Sequence, residues 1–134
     1  MAKRGKNKIG KITIPGDMKP WPHEMKVAEV LAKSGCDVEF IKKSEQYKTN
    51  SADLKIDNDK IWGLKSPKAD SLKAVERNIK RGRNQSPRVI ISGLRFSNFS
   101  DEVILREIMS SLKRIDNIES LKYISKDQRA IDLK

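Results

Sequence analysis

The sequence predicts an α+β fold, a mixed β-sheet packed by helices, in the order αβββαβ followed by a helix and a terminal β-hairpin. Three observations lead there. Apolar residues recur at helical spacing in three separate segments. Between them stand runs of four to six residues that alternate or are continuously apolar, too short for helices and rich in Ile, Val and Phe. Proline, glycine, asparagine and aspartate punctuate the boundaries. With 134 residues the chain holds one domain with a single modest core.

Each element follows in turn. Met1 to Lys11 is a polar basic arm without periodicity, so the domain is expected over residues 12–134. "ITIPGDMKPWP" is an extended lead-in with a turn, broken by Pro15, Gly16, Pro20 and Pro22. The first helix lies in "PHEMKVAEVLAKSG": Pro22 suits its first turn, Met25, Val27, Ala28, Val30 and Leu31 form its apolar stripe, and Gly35 stops it. "DVEFI" is a strand and "KKSEQYKTNS" a polar loop. "DLKI" and "KIWGLK" are strands joined by Asp57-Asn58-Asp59, which is hairpin chemistry. The second helix is expected from about Asp70 to Arg83, with Asp70 or Ser71 as its N-cap and Leu72, Val75 and Ile79 inward. "RVIIS" reads as a buried interior strand. Ser100 and Asp101 open a third helix with Val103, Ile104, Ile108 and Leu112 on one face. "SLKYIS" and "RAIDL" close the chain around Lys126-Asp127-Gln128.

The formal charge is +11. It is clustered: Lys3, Arg4, Lys6, Lys8 and Lys11 meet no acid, and the nine bases between Lys60 and Arg88 face only Asp70 and Glu76. Such clustering is the footprint of a polyanion binder, which favours nucleic acid as partner. A single cysteine, Cys36, rules out an intrachain disulfide and a thiolate zinc cluster. No secretory signal and no run of ~20 apolar residues is present, so a cytoplasmic protein without a membrane partner is expected.

The candidate site starts from Asp53 and Lys65, which open one strand of the hairpin and close the other, and so share one end of the pair. A carboxylate there can hold a divalent cation while a lysine stabilises a phosphorane. Alternatively, a basic residue and a general base act on a ribose 2′-hydroxyl with no metal. His23 and Glu24, in the first turn of the first helix, join as catalytic candidates. Asp53 and Glu24 are the metal candidates if the chemistry needs Mg²⁺; the cofactor reading is none or Mg²⁺. Lys73, Arg77, Lys80, Arg81 and Arg83 on the second helix are the expected phosphate-binding residues.

The stretches "PWPHEMKVAEVLAKSGCDVEFI", "SADLKIDNDKIWGLKSP" and "NQSPRVIISGLR" resemble the C-terminal tRNA nuclease domain of contact-dependent growth inhibition (CdiA-type) toxins and small standalone relatives on bacterial mobile elements. The resemblance covers almost the whole chain after the basic arm. It implies a toxin-like endonuclease that cleaves tRNA in a target cell's cytoplasm, a cleft lined by His23, Glu24, Asp53 and Lys65, and a cognate immunity protein. The element order also looks like the core of the PD-(D/E)XK nucleases. Two departures stand out. The toxin-like pattern has a glutamate where Gly63 stands, and tends to have an aspartate at the end of the next strand, where Ser92 and Gly93 stand. Gly63 has no packing role legible from its neighbours in sequence. A nucleic-acid-binding relative weakened in catalysis and a metal-dependent DNA nuclease are therefore the alternatives.

Overall fold

The computed structural model describes residues 9–41 and 53–134. Its elements are β1 (Ile12–Thr13), α1 (Pro22–Lys33), β2 (Val38–Ile41), β3 (Asp53–Ile56), β4 (Lys60–Lys65), α2 (Lys73–Arg83), β5 (Arg88–Ser92), α3 (Asp101–Leu112), β6 (Ser120–Ile124) and β7 (Ala130–Asp132). The expected loop after β2 and the arm up to Lys8 lie outside the described residues. All seven strands join one sheet in sequence order, β1 to β7. β1–β2, β4–β5 and β5–β6 pair parallel; β2–β3, β3–β4 and β6–β7 pair antiparallel.

Strand alternation divides the apolar residues between two faces. Phe40, Leu54, Leu64, Ile90 and Ile124 pack with Val27, Ala28 and Leu31 of α1. Val89, Ile91, Leu121 and Tyr123 pack with Val75 and Ile79 of α2 and with Ile104 and Ile108 of α3. β5 is buried on both faces, which explains its unbroken apolar run. Its 0% exposed Val89, Ile90 and Ile91 make it the centre of the domain.

Local signals set most boundaries. Ser100 caps α3, its Oγ accepting from the Val103 N–H at 3.3 Å. Asp57 and Asn58 take φ of 55° and 54°, the pair of left-handed residues that a tight hairpin requires. Two boundaries differ from expectation. α2 begins at Lys73, not Asp70: Ser71 Oγ accepts from the Lys73 N–H, while the Ala69 carbonyl accepts from Ser97 N–H at 2.8 Å, which ties the preceding chain to the β5–α3 loop. The lead-in contains a strand, β1, and the folded chain begins before Ile12. Gly10 N–H donates to the Ala32 carbonyl, Lys11 N–H to Asp37 Oδ1, and the Lys11 carbonyl accepts from Val38 N–H. The end of the expected arm is therefore part of the sheet edge.

Candidate functional site

β1, β2, β4, β5 and β6 all run in one direction, with β3 and β7 opposed. Their carboxyl ends line one edge of the sheet. α1, α2 and α3 each follow one of these strands, so all three helices start at that edge. In open α/β sheets this is the edge where ligands bind. The start of β3, carrying Asp53, and the end of β4, carrying Lys65, lie there too.

Asp53 stands opposite Gly63, and Lys65 follows two residues along β4 on the same face. Because Leu54 and Leu64 point to α1, Asp53, Gly63 and Lys65 point to the α2 side. Asp53 and Lys65 are both half-buried. The reason for Gly63 is on this face. A β-carbon there would meet the Gly82 carbonyl oxygen at 3.0 Å and Gln85 Oε1 at 3.2 Å. Gly82 in turn rests on β5 and β4: a β-carbon on it would stand 2.7 Å from Val89 Cγ1 and 3.5 Å from Lys65 Cγ. The end of α2 thus fills the place that a side chain at position 63 would take. The second departure is also packing. Gly93 lies against the ring and hydroxyl of Tyr123, where any side chain would collide, and the hydroxyl donates to Asp101 Oδ1 at 2.7 Å.

His23 and Glu24 belong to the α1 side. Glu24 is buried, and its Oε1 accepts from the Trp21 N–H at 3.0 Å, so it caps its own helix. The His23 ring stacks on Trp21 with centroids 6.4 Å apart and planes 13° from parallel. Partial burial holds the His23 pKa below the usual imidazole value, the Arg95 charge pushes it the same way, and Glu24 opposes them. His23 is consequently neutral at pH 7. Arg95 Nη1 donates to the Ser66 carbonyl at 3.2 Å, directly after Lys65. Arg95 is thus anchored at the end of β4, and its charge reaches His23 at the start of α1. Sequence reasoning passed over Arg95, which sits in a loop without periodicity; its place just beyond the end of an apolar strand was the available signal.

Of the two metal candidates, Asp53 faces the α2 side of the sheet and Glu24 stands in the first turn of α1 with one oxygen committed to its cap. Mg²⁺ demands near-octahedral oxygen geometry at about 2.1 Å, and the capping bond of Glu24 already engages one of the oxygens this pair would offer.

The expected phosphate-binding residues line a groove of about 600 Å³ between α2 and α3. Lys73, Arg77, Lys80 and Arg81 border it, joined by Arg114, with Glu76 and Glu107 as the acids. Arg83 turns elsewhere and donates to the Asp116 carbonyl at 3.2 Å. Glu76 ties the groove's walls, reaching Arg114 at 2.5 Å and Lys80 at 3.1 Å. These bonds, Arg114 first, hold its pKa below the usual carboxylate value.

The fold is similar to a chain of the CdiA-CT/CdiI toxin and immunity complex from Burkholderia pseudomallei, with a TM-score of 0.68 over 93% of this chain and 99% of that one. Identity is 19%, so the likeness establishes a shared mixed α/β fold. No family model and no curated protein matches the sequence. No helix among the described residues is long and apolar enough to cross a membrane.

Proposed function

We propose that the chain is a toxin-like RNA endonuclease that cleaves tRNA at the carboxyl edge of its sheet, with His23, Asp53, Lys65 and Arg95 around the scissile phosphate. The observation that carries this reading is Arg95, whose guanidinium is held by the Ser66 carbonyl beside Lys65 and whose charge reaches the His23 imidazole. A phosphodiester with its ribose is large enough to touch groups on both sides of the edge, whereas a metal ion must have its ligands within about 2 Å. The metal-free route is therefore the one these residues support.

In that route His23 takes the proton of the ribose 2′-hydroxyl. The 2′-oxygen bonds to the adjacent phosphorus, the bond to the 5′-oxygen breaks, and the departing oxygen takes a proton from water. The product ends are a 2′,3′-cyclic phosphate and a 5′-hydroxyl. Lys65 and Arg95 offset the charge that builds on the phosphorane oxygens. Asp53, on the face of Lys65, orients the ammonium group. Glu24 sets the start of α1 and hence the His23 ring. The basic groove of α2 holds neighbouring phosphates. The similar fold comes from a toxin and immunity complex, and we propose that a cognate immunity protein covers this edge.

The test is to incubate purified protein with total tRNA, with Mg²⁺ or with chelator, and to map the fragment ends. Cyclic phosphate ends formed in chelator support the reading; cleavage that requires Mg²⁺, or acts on DNA instead, overturns the route. A second reading, a nucleic-acid-binding relative without turnover, is favoured by one observation: helix α2 fills the place of the carboxylate that the nuclease pattern has at position 63. Salt-sensitive tRNA binding without fragments would establish it.

A further inference from the structure

Trp21 is 62% exposed beside the edge described above, although a side chain of that size is usually well covered. It is also held stiffly. Pro20 and Pro22 flank it, its φ and ψ are −63° and 150°, and its N–H is tied to Glu24 Oε1. His23 lies alongside the indole, its ring near-parallel and offset at 6.4 Å between centroids. Most of the indole surface is in water. A rigid, exposed aromatic plane with a second ring beside it is the surface on which an unpaired nucleobase stacks.

Charge around it fits the same occupant. Arg95 lies close enough to His23 to depress its pKa, and it is anchored on Ser66 at the end of β4. Arg95 thus supplies a cation near the indole for the phosphate of a nucleotide whose base lies on Trp21. Beyond the edge, Lys73 at the start of α2 opens the basic groove. We propose that Trp21, with His23 alongside it, is a nucleobase subsite that takes an unpaired base next to the scissile phosphate. The protein therefore selects single-stranded or loop RNA over duplex. This rests on the nuclease reading for the location of the scissile phosphate and makes a separate claim about substrate class. Base stacking is tolerant of sequence, so the subsite confers a preference for unpaired structure and not for one base. Bases held within a duplex do not offer a free face to it.

The experiment measures binding in the full chain carrying Lys65→Ala, so that cleavage does not intervene. The probes are a short uridine oligonucleotide, the same strand paired with its complement, and inorganic polyphosphate, across a range of salt. Trp21→Ala is expected to weaken single-strand binding by about five- to a hundred-fold, the range for losing one base–aromatic stack. Duplex and polyphosphate binding should stay as before, and Trp21→Phe should retain most of the affinity. Unchanged single-strand affinity in Trp21→Ala, with salt-sensitive binding intact, overturns the subsite alone and returns the exposed indole to a protein partner. Equal loss for polyphosphate overturns it as well, because Trp21 would then act through the fold. Wild-type side chains at position 21 that give no salt-sensitive binding to any probe would overturn both this subsite and the nuclease reading.

Discussion

The carbonyl oxygen of Gly82 lies 3.0 Å from the point where a β-carbon on Gly63 would stand. Two glycines, one on α2 and one on β4, let the helix end settle on the sheet beside Lys65. The contact gives Gly63 a structural purpose independent of any lost carboxylate. Gly63→Ala should lower stability by about 1–3 kcal/mol, the usual cost of overpacking a tight contact. Gly63→Glu should cost more, because it also brings a charge towards a buried helix carbonyl. Thermal melts of the two variants check this, and a Gly63→Glu protein as stable as wild type would show that α2 yields easily.

That contact also shows where the sequence is legible and where it is not. The Ser100 cap and the Asp57–Asn58 turn depend on neighbours within a few residues, so both can be read directly. β1 is two residues long and exists because β2, more than twenty residues away, accepts it. The start of α2 moved because the chain before it bonds to Ser97. Gly63 and Gly93 look like departures from a nuclease pattern until the helix end and the Tyr123 ring that crowd them are seen. The proposed site residues Asp53, Lys65 and His23 are visible in the sequence as chemistry; Arg95 and Trp21, which the proposals add to them, have no periodic signature.

If the groove binds phosphates as proposed, Glu76 acts as a brake on it. It ties down Lys80 and Arg114, two of the cations that a phosphate chain would otherwise meet. Glu76→Gln should tighten polyanion binding several-fold at low salt and steepen the salt slope by about one, since one more counterion is released on binding. Filter binding across salt concentrations measures both. The substitution should also remove a stabilising ion pair in a defined pH range. Because the folded pKa of Glu76 is depressed, its contribution is present above the unfolded value and is lost as pH falls through the folded one.

Arg95 should control the titration of His23. Partial burial and the Arg95 charge both lower the imidazole pKa, so Arg95→Gln removes one of them and the titration midpoint must rise. NMR of the only histidine in the chain makes the measurement direct. If His23 is the base, the acidic limb of the cleavage profile should move upward with it. A midpoint that stays in place would separate Arg95 from His23.

The sheet edge at β1 should be sensitive to where the chain begins. A protein starting at Ile9 keeps the bonds of Gly10 and Lys11, and one starting at Ile12 loses three of them. At about 1 kcal/mol per backbone hydrogen bond, the shorter protein should melt several degrees lower. Equal melting temperatures would show that β1 is dispensable.

The central claim, that Lys65 at the end of β4 stabilises the transition state of RNA cleavage, is tested most directly by Lys65→Ala assayed on tRNA beside the wild type, with melting temperature as the control for folding. The account predicts that wild type yields fragments, in chelator as well as in Mg²⁺. It predicts that the variant keeps a near-native melting temperature and cleaves about 10²–10³-fold more slowly, the scale of losing one transition-state donor. Wild-type protein that leaves tRNA intact, or a folded Lys65→Ala protein that cleaves at the wild-type rate, would contradict it.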